Sequence, residues 1–387
     1  MAAHPPPPAL DVDALLDREA ILVCCGSGGV GKTTTSAALA LRAAERGRRV
    51  VVLTIDPARR LAQSLGLTAL DNEPCPVAGV DPASGGELHA AMLDMKRTFD
   101  DIVLAHNDAD RAQAIFDNPF YASLSSSLSG TQEYMAMERL GQLKASGEWD
   151  LIVVDTPPTR SALDFLDAPQ RLSRFLDGRL VSLLLAPART GGRAYLKVLS
   201  VGVSVVTGVL SKVLGAEYLR DISAFVGAME TMFGGFRARA QLTYDLLKAP
   251  DTAFVVVAAP ESDALREAAY FVERLSEESM PLAGLVVNRV HRSTAPALTA
   301  RRCVVAAEDL ESRGEDLWAA AVLRVHADRV ALLTRETRLQ QRFSQAHPTV
   351  RVAEVGAQDG DVHDLAGLRR VGADLAAGSR PAGRRAG

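Results

Sequence analysis

Apolar residues in this chain gather into short unbroken runs, and the longer stretches between them carry helical spacing. Five runs dominate: Ala20–Cys25, Arg49–Ile55, Asp150–Val154, Ala253–Ala259 and Leu282–Asn288. Runs this short and this rich in valine and leucine predict strands buried on both faces of a parallel sheet. Leu88–Met95 and Thr349–Val355 predict two weaker strands. Helices are expected at Asp11–Glu19, Lys32–Glu45, Ala58–Leu65, Lys96–His106, Gln132–Lys144, Asp263–Glu277 and Leu365–Leu375. In Gln132–Lys144, Leu140 and Leu143 should face the core. Two more helices are expected in a charged region, Ala295–His326 and Val330–Phe343. Strands alternating with helices imply an α/β fold: a doubly wound, mostly parallel sheet. Such sheets bind ligands at the carboxyl ends of their strands.

One stretch breaks the rhythm. Leu163–Leu247 carries no strand pattern and reads as a helical insertion. Within it Val198–Leu214 has very few charges, and Met229, Met232 and Phe233 follow. Such a segment can form a helical subdomain with its own core, or an apolar groove for a hydrophobic client or membrane surface. The serine-rich stretch Ser123–Gly130 reads as a turn. The proline run His4–Pro8 places a disordered N-terminus at residues 1–10, and residues 378–387 form a basic, disordered tail. Residues 11–377 are left as one domain, with the helical subdomain at about 163–247.

Composition narrows the class. The chain has 387 residues, enough for one large α/β domain with insertions or for two domains. With 48% hydrophobic and 23% charged residues it reads as an ordinary globular protein. A formal net charge of -4 argues against nucleic acid as a partner, which needs a basic face. Cys24, Cys25, Cys75 and Cys303 form no Cys-x-x-Cys pair, and Cys24 and Cys25 read as small buried hydrophobes. Met1–Ala9 lacks the apolar centre of a secretory signal, and Val198–Ser211 is too short to cross a bilayer. A cytoplasmic protein, at most peripheral to a membrane, is expected.

The most specific chemistry follows the first apolar run. Gly26-Ser27-Gly28-Gly29-Val30-Gly31-Lys32-Thr33-Thr34 lies between strand and helix, in the order a phosphate-binding loop requires. Glycines let successive backbone N–H groups turn toward phosphates, and the helix dipole points its positive end at the same place. Lys32 can reach the β- and γ-phosphates, and the Thr33 hydroxyl can ligate Mg²⁺. A flexible glycine turn between core elements would need neither residue beside its last glycine. Asp56, after the second strand, can hold an attacking water in line, or cap the next helix with Pro57 in its first turn. Asp155 ends another apolar strand and can belong to the Mg²⁺ shell; alone it would read as a turn former. Asn288 could read a purine edge or simply end a strand.

Taken together, these segments resemble the ArsA family of ATPases, from about Ile21 to Leu375. That family includes arsenite-pump-driving ATPases and ATPases that deliver tail-anchored membrane proteins. Gly26–Thr34 is similar to its deviant phosphate loop, and T-I-D-P-A-R-R-L-A from Thr54 to its first switch. V-V-D-T-P-P-T-R-S-A-L from Val153 is similar to the second switch, V-V-N-R from Val286 to the base-reading strand, and Val352–Val355 to the adenine-covering loop. The Asp-Thr-Pro-Pro and Asp361–Leu365 segments bring it closest to actinobacterial ArsA-like proteins. The resemblance implies a P-loop fold that hydrolyses ATP with Mg²⁺ as a dimer closing over nucleotide. It implies that Asp56 activates water, Thr34 holds the α-phosphate and Asn288 reads adenine. The helical insertion would then handle the hydrophobic client.

Four departures qualify what the resemblance implies. Ser27 stands where the family has a signature lysine that reaches the partner's phosphates, and losing such a cation could slow hydrolysis. A partner in a heterodimer, or Arg59, Arg60 or Arg160, could supply the charge. Arg60 and Ser161 replace an asparagine and a histidine of the two switches. No Cys-x-x-Cys follows Asn288, so no zinc is expected, and the thiolate set that soft As(III) needs is missing. Three readings follow: an ATPase acting on a hydrophobic client, a weakly active regulatory subunit completing a partner's site, and a DNA-partitioning protein. The last is disfavoured, because the only dense basic run is Arg380–Arg385.

Overall fold

A computed structural model of the chain describes residues 7–56, 60–118, 121, 131–157, 239, 241–293 and 295–377. The expected serine-rich turn, the basic tail and nearly all of the helical insertion lie outside these residues; within the insertion, residues 241–247 are helical. The chain opens with α1 (Val12–Arg18), β1 (Ile21–Cys25), α2 (Lys32–Ala44), β2 (Arg49–Thr54) and α3 (Arg60–Ser64). Then come β3 (Cys75–Pro76), β4 (Glu87–Met92), α4 (Met95–His106), α5 (Ala109–Phe116), α6 (Thr131–Ser146) and β5 (Leu151–Asp155). Beyond the insertion lie β6 (Thr252–Ala258), α7 (Ser262–Glu277), β7 (Leu282–Val290), α8 (Ala300–Arg313), α9 (Leu317–Ala346), β8 (Val352–Gly356) and α10 (Leu365–Ala377).

Eight strands form one sheet in the order β3-β4-β2-β5-β1-β6-β7-β8. Every named pairing is parallel except that of the two-residue edge strand β3 with β4. From β1 the chain builds one half of the sheet through β2, β4 and β5, then crosses to β6 and builds the other. The crevice where this winding reverses sits above β1, β5 and β6, where the phosphate-loop sequence emerges. All residues of β1, β5 and β6 are buried, as continuous apolar runs require. Helix α2 packs under β2 and β5 and against α10, and α7 covers β6 and β7. Leu140 is 0% exposed and Leu143 4%, so α6 turns its expected face inward.

Two expectations need correction. Residues 1–10 were expected to be disordered; residues 1–6 lie outside the described ones, but Leu10 donates its N–H to Val352 O at 3.0 Å and Val352 donates to Pro8 O at 2.8 Å. The side chain of Leu10 is 2% exposed, and its burial fixes the segment along β8. The charged region also divides elsewhere than expected: the break falls at Gly314, and Leu317–Ala346 is one helix of 30 residues. Gly314 takes the left-handed conformation at φ 66° that closes α8. The Asp316 carboxylate accepts from Ala319 N–H and starts α9. The expected boundary after His326 contains only Ala327, Asp328 and Arg329, none of which stops a helix.

Candidate functional site

The turn from β1 to α2 depends on three glycines in conformations that side chains avoid. Gly26, Gly29 and Gly31 have φ of 149°, 77° and 91°. A Cβ on Gly26 would lie 2.1 Å from the Val257 carbonyl oxygen, and one on Gly31 would lie 2.2 Å from Asn288 Nδ2. The loop therefore lies flat against the ends of β6 and β7. Gly28 and Gly29 face solvent, and Ser27 is half-buried. Gly31 offers α2 no side-chain cap, so the first-turn N–H groups point into the crevice without a side-chain acceptor.

Lys32 begins α2 and is 6% exposed. Its ammonium donates to the Ser27 carbonyl at 2.9 Å, folded back across the loop it would share with a phosphate. Burial lowers its pKa, opposed by the charge of Asp155 and more weakly by that of Asp56. Thr33 Oγ1 donates to Asp155 Oδ2 at 2.8 Å, and Thr54 Oγ1 donates to the same oxygen at 3.0 Å. Ser36 Oγ lies 3.5 Å from Asp155 Oδ1. Strand register causes this convergence, since Asp155 stands beside Cys24 of β1 on one side and Thr54 of β2 on the other. Asp155 is 0% exposed, and burial raises its pKa from 3.8 to about 6 against the pull of the two threonines and Lys32. The thiols beside it are inert: burial pushes Cys24 up to about 12 and Cys25 higher still.

Asp56 is half-buried where β2 ends, and its charge reaches both Lys32 and Asp155. Exposed Arg60 opens α3, and its charge acts on Lys32 in the opposite sense. Thr34 is half-buried one residue further along α2. Asn288, 8% exposed, donates from Nδ2 to the Val30 carbonyl at 2.9 Å and accepts from Arg289 N–H through Oδ1 at 2.9 Å. It ties the phosphate loop to β7. Arg289 has φ of 62°, a rare conformation for a side-chain-bearing residue, held in the same contact. Three residues beyond Asn288, His291 meets Glu336 of α9: Nδ1 to Oε1 at 2.6 Å, and its own N–H to Oε2 at 3.2 Å.

The structure thus brings Lys32, Thr33 and Asp155 together, with Asp56 and Asn288 at their edge. Thr54, Ser36 and the His291–Glu336 pair were not anticipated. A hydroxyl closing the apolar run of β2 was the available signal for Thr54; nothing local pointed to the others. An all-oxygen set from Thr33 and Asp155, beside a lysine, suits a hard cation such as Mg²⁺ accompanying phosphates. Among the described residues there is no group of three or more His, Cys, Asp or Glu placed to hold a metal by itself. Thr33 and Asp155 would supply only part of such a shell, which substrate oxygens and water would complete.

A family model described as anion-transporting ATPase matches residues 19–307, most of the chain. The chain belongs to this ArsA family. It is 34% identical over 158 residues to a protein of Prosthecochloris vibrioformis whose name refers to an arsenical pump-driving ATPase, covering 40% of this chain and 36% of that relative. Identity is 31% over 172 residues with "ATPase GET3" of Malassezia globosa, covering 44% of this chain and 48% of the relative. With "ATPase get3" of Schizosaccharomyces pombe it is 29% over 285 residues, covering 72% and 76%. The chain thus spans only about a third to a half of the length of the first relatives it matches. Among the described residues no helix is long and apolar enough to cross a membrane.

Proposed function

We propose that this chain is a cytoplasmic ATPase that binds ATP with Mg²⁺ at the β1–α2 turn and hydrolyses it. The observation carrying this reading is the cluster of Lys32, Thr33 and Asp155 at the N-terminus of α2, with a buried carboxylate and a buried ammonium side by side. The amides of Gly26–Thr34 and the α2 dipole would hold the triphosphate, and Lys32 would leave Ser27 O for a phosphate oxygen. Thr33 and Asp155 would hold Mg²⁺, whose charge offsets that of the phosphates. Asp56 would orient the attacking water and accept its proton. Asn288 retains one amide hydrogen and one carbonyl lone pair beyond its two bonds, which suffices to meet an adenine edge.

Family membership supports a dimer that closes over nucleotide and opens after hydrolysis, moving or sheltering a hydrophobic client or membrane partner. Purified protein should release phosphate from ATP in a Mg²⁺-dependent way, and Lys32→Ala should abolish this release while Asp56→Asn slows it sharply. No release, alone or with a paralogous partner, would refute the enzymatic reading. Ser27 favours a second reading, in which a weakly active chain completes a partner ATPase in a heterodimer. In the first reading Arg60, at the start of α3, would supply the missing charge within the chain itself. Normal turnover by the chain alone, lost in Arg60→Ala, would decide for the first reading.

A further inference from the structure

Helix α9 carries its charge unevenly. From residue 329 to residue 346 it holds four arginines and one acid, Glu336, which is buried and already bonded to His291. Arg335, Arg338 and Arg342 stand three and four positions apart, so they share one helix face. Like charges at these spacings repel one another. Among the described residues none of the three has an ion-pair partner. Other arginines of α9 and α7 do: Arg324 meets Glu311 at 2.6 Å, Arg274 meets Glu278 at 3.0 Å and Arg266 meets Asp263 at 2.7 Å.

The same face bounds a cavity of about 590 Å³ between α9 and the start of α7, within the ~300–1,000 Å³ range of small-molecule sites. Arg335, Arg338 and Arg342 line it together with Ser262, Gln341 and Gln345, and no acid lines it. The arginines are exposed, so the cavity opens to solvent. Ser262 is the first residue of α7, a helix of 16 residues whose cap residue Glu261 gives it no side-chain hydrogen bond. The positive end of that helix therefore adds to the three guanidinium charges. The crossovers from β1 to β2 and from β6 to β7 run in opposite directions along the sheet, so α2 and α7 cover opposite faces. The cavity is thus separate from the β1–α2 turn and shares no residue with it.

We infer that this cavity binds a small organic bisphosphate, its two phosphates spread along α9. Arg335 and Arg342 are separated by about 10 Å of helix, more than a single phosphate spans. Two phosphomonoesters carry about -3 to -4 at neutral pH, which matches three guanidiniums and a helix N-terminus. A dicarboxylate carries about half of that. Guanidinium groups hold phosphate oxygens bidentately, and the Ser262 hydroxyl and the two glutamine amides can donate to the oxygens that remain. The site needs neither ATP nor Mg²⁺, so it stands or falls separately from the ATPase reading.

Calorimetry on the full chain carrying Lys32→Ala, in EDTA, tests this while keeping the phosphate loop out of the measurement. The probe is fructose bisphosphate, whose phosphates stand at its two ends. One saturable site per chain is expected. Pyrophosphate, whose phosphates adjoin, should bind about tenfold more weakly because it spans fewer of the arginines. Adding Arg338→Ala should lower affinity for fructose bisphosphate about thirtyfold. Adding Ser262→Asp instead should abolish binding by placing a carboxylate in the cavity, without lowering the melting temperature, since an acid suits the first turn of a helix. No saturable heat, or unchanged affinity in both variants, would overturn the proposal. So would equal heats from fructose bisphosphate, pyrophosphate and sulfate, the mark of an adventitious ion only. Flotation with phosphatidylglycerol vesicles, lost in Arg338→Ala, without binding of the soluble bisphosphate would overturn it as well.

Discussion

Replacing Asp155 by asparagine should make the empty protein more stable while removing the proposed Mg²⁺-dependent binding of ATP. Asp155 is completely buried, and its pKa rises from 3.8 to about 6 even with two threonine hydroxyls and Lys32 nearby. Keeping it ionised at pH 7 therefore costs about 3 kcal/mol relative to the unfolded chain. Asparagine is the same size, and its carbonyl oxygen can take the bonds from Thr33 and Thr54, so the penalty is removed without a cavity. The sign follows from proton binding. The native carboxyl holds a proton between about pH 4 and 6 where the unfolded one has lost it, so its contribution to stability falls as pH rises through that window. In urea titrations without Mg²⁺ or nucleotide, Asp155→Asn should exceed wild type by up to about 3 kcal/mol at pH 7 and by only about 1 kcal/mol near pH 4.5. Mg²⁺-dependent ATP binding should vanish in the same variant, the usual exchange between stability and function at a charged site. Equal or lower stability at pH 7 would refute the buried-charge argument.

Further consequences concern the loop and its surroundings. kcat/KM for Mg·ATP should fall on the acid side with an inflection near pH 6 as Asp155 takes up a proton, and a flat profile from pH 5 to pH 7 would remove Asp155 from the metal shell. Gly26→Ala should retain the far-ultraviolet circular dichroism of wild type but lose nucleotide binding, because its Cβ would meet the Val257 carbonyl at 2.1 Å. Binding at wild-type affinity would show that the loop tolerates the shift. Asn288→Ala should weaken ATP binding by about tenfold through loss of its bond to Val30 O, measured by calorimetry. Asp56→Asn should lower kcat by about a hundredfold or more with little change in ATP affinity; a parallel loss of affinity would assign it to binding instead.

The central sheet was legible because strands buried on both faces must be apolar over nearly all their length, and β1, β5 and β6 are, with only the end residues Asp155 and Thr252 polar. The phosphate loop was legible because its glycines, Lys32 and Thr33 are contiguous. What escaped depends on contacts distant in sequence. Thr54 and Ser36 gain their meaning only when register brings Asp155 between β1 and β2. Asn288 faces the Val30 carbonyl across 258 positions. The pairing of residues 8–10 is with β8, which lies over 300 residues away. The helix break was misplaced because Gly314 and Asp316, though local signals, sit inside a charged stretch whose periodicity continues on both sides.

The most direct test titrates ATP into the wild-type chain and into Lys32→Ala by calorimetry, with Mg²⁺ and then with EDTA. One saturable site per chain in wild type, weakened by EDTA and absent from Lys32→Ala, is the expected result. Heat indistinguishable from dilution in wild type, or unchanged binding in Lys32→Ala, would contradict it.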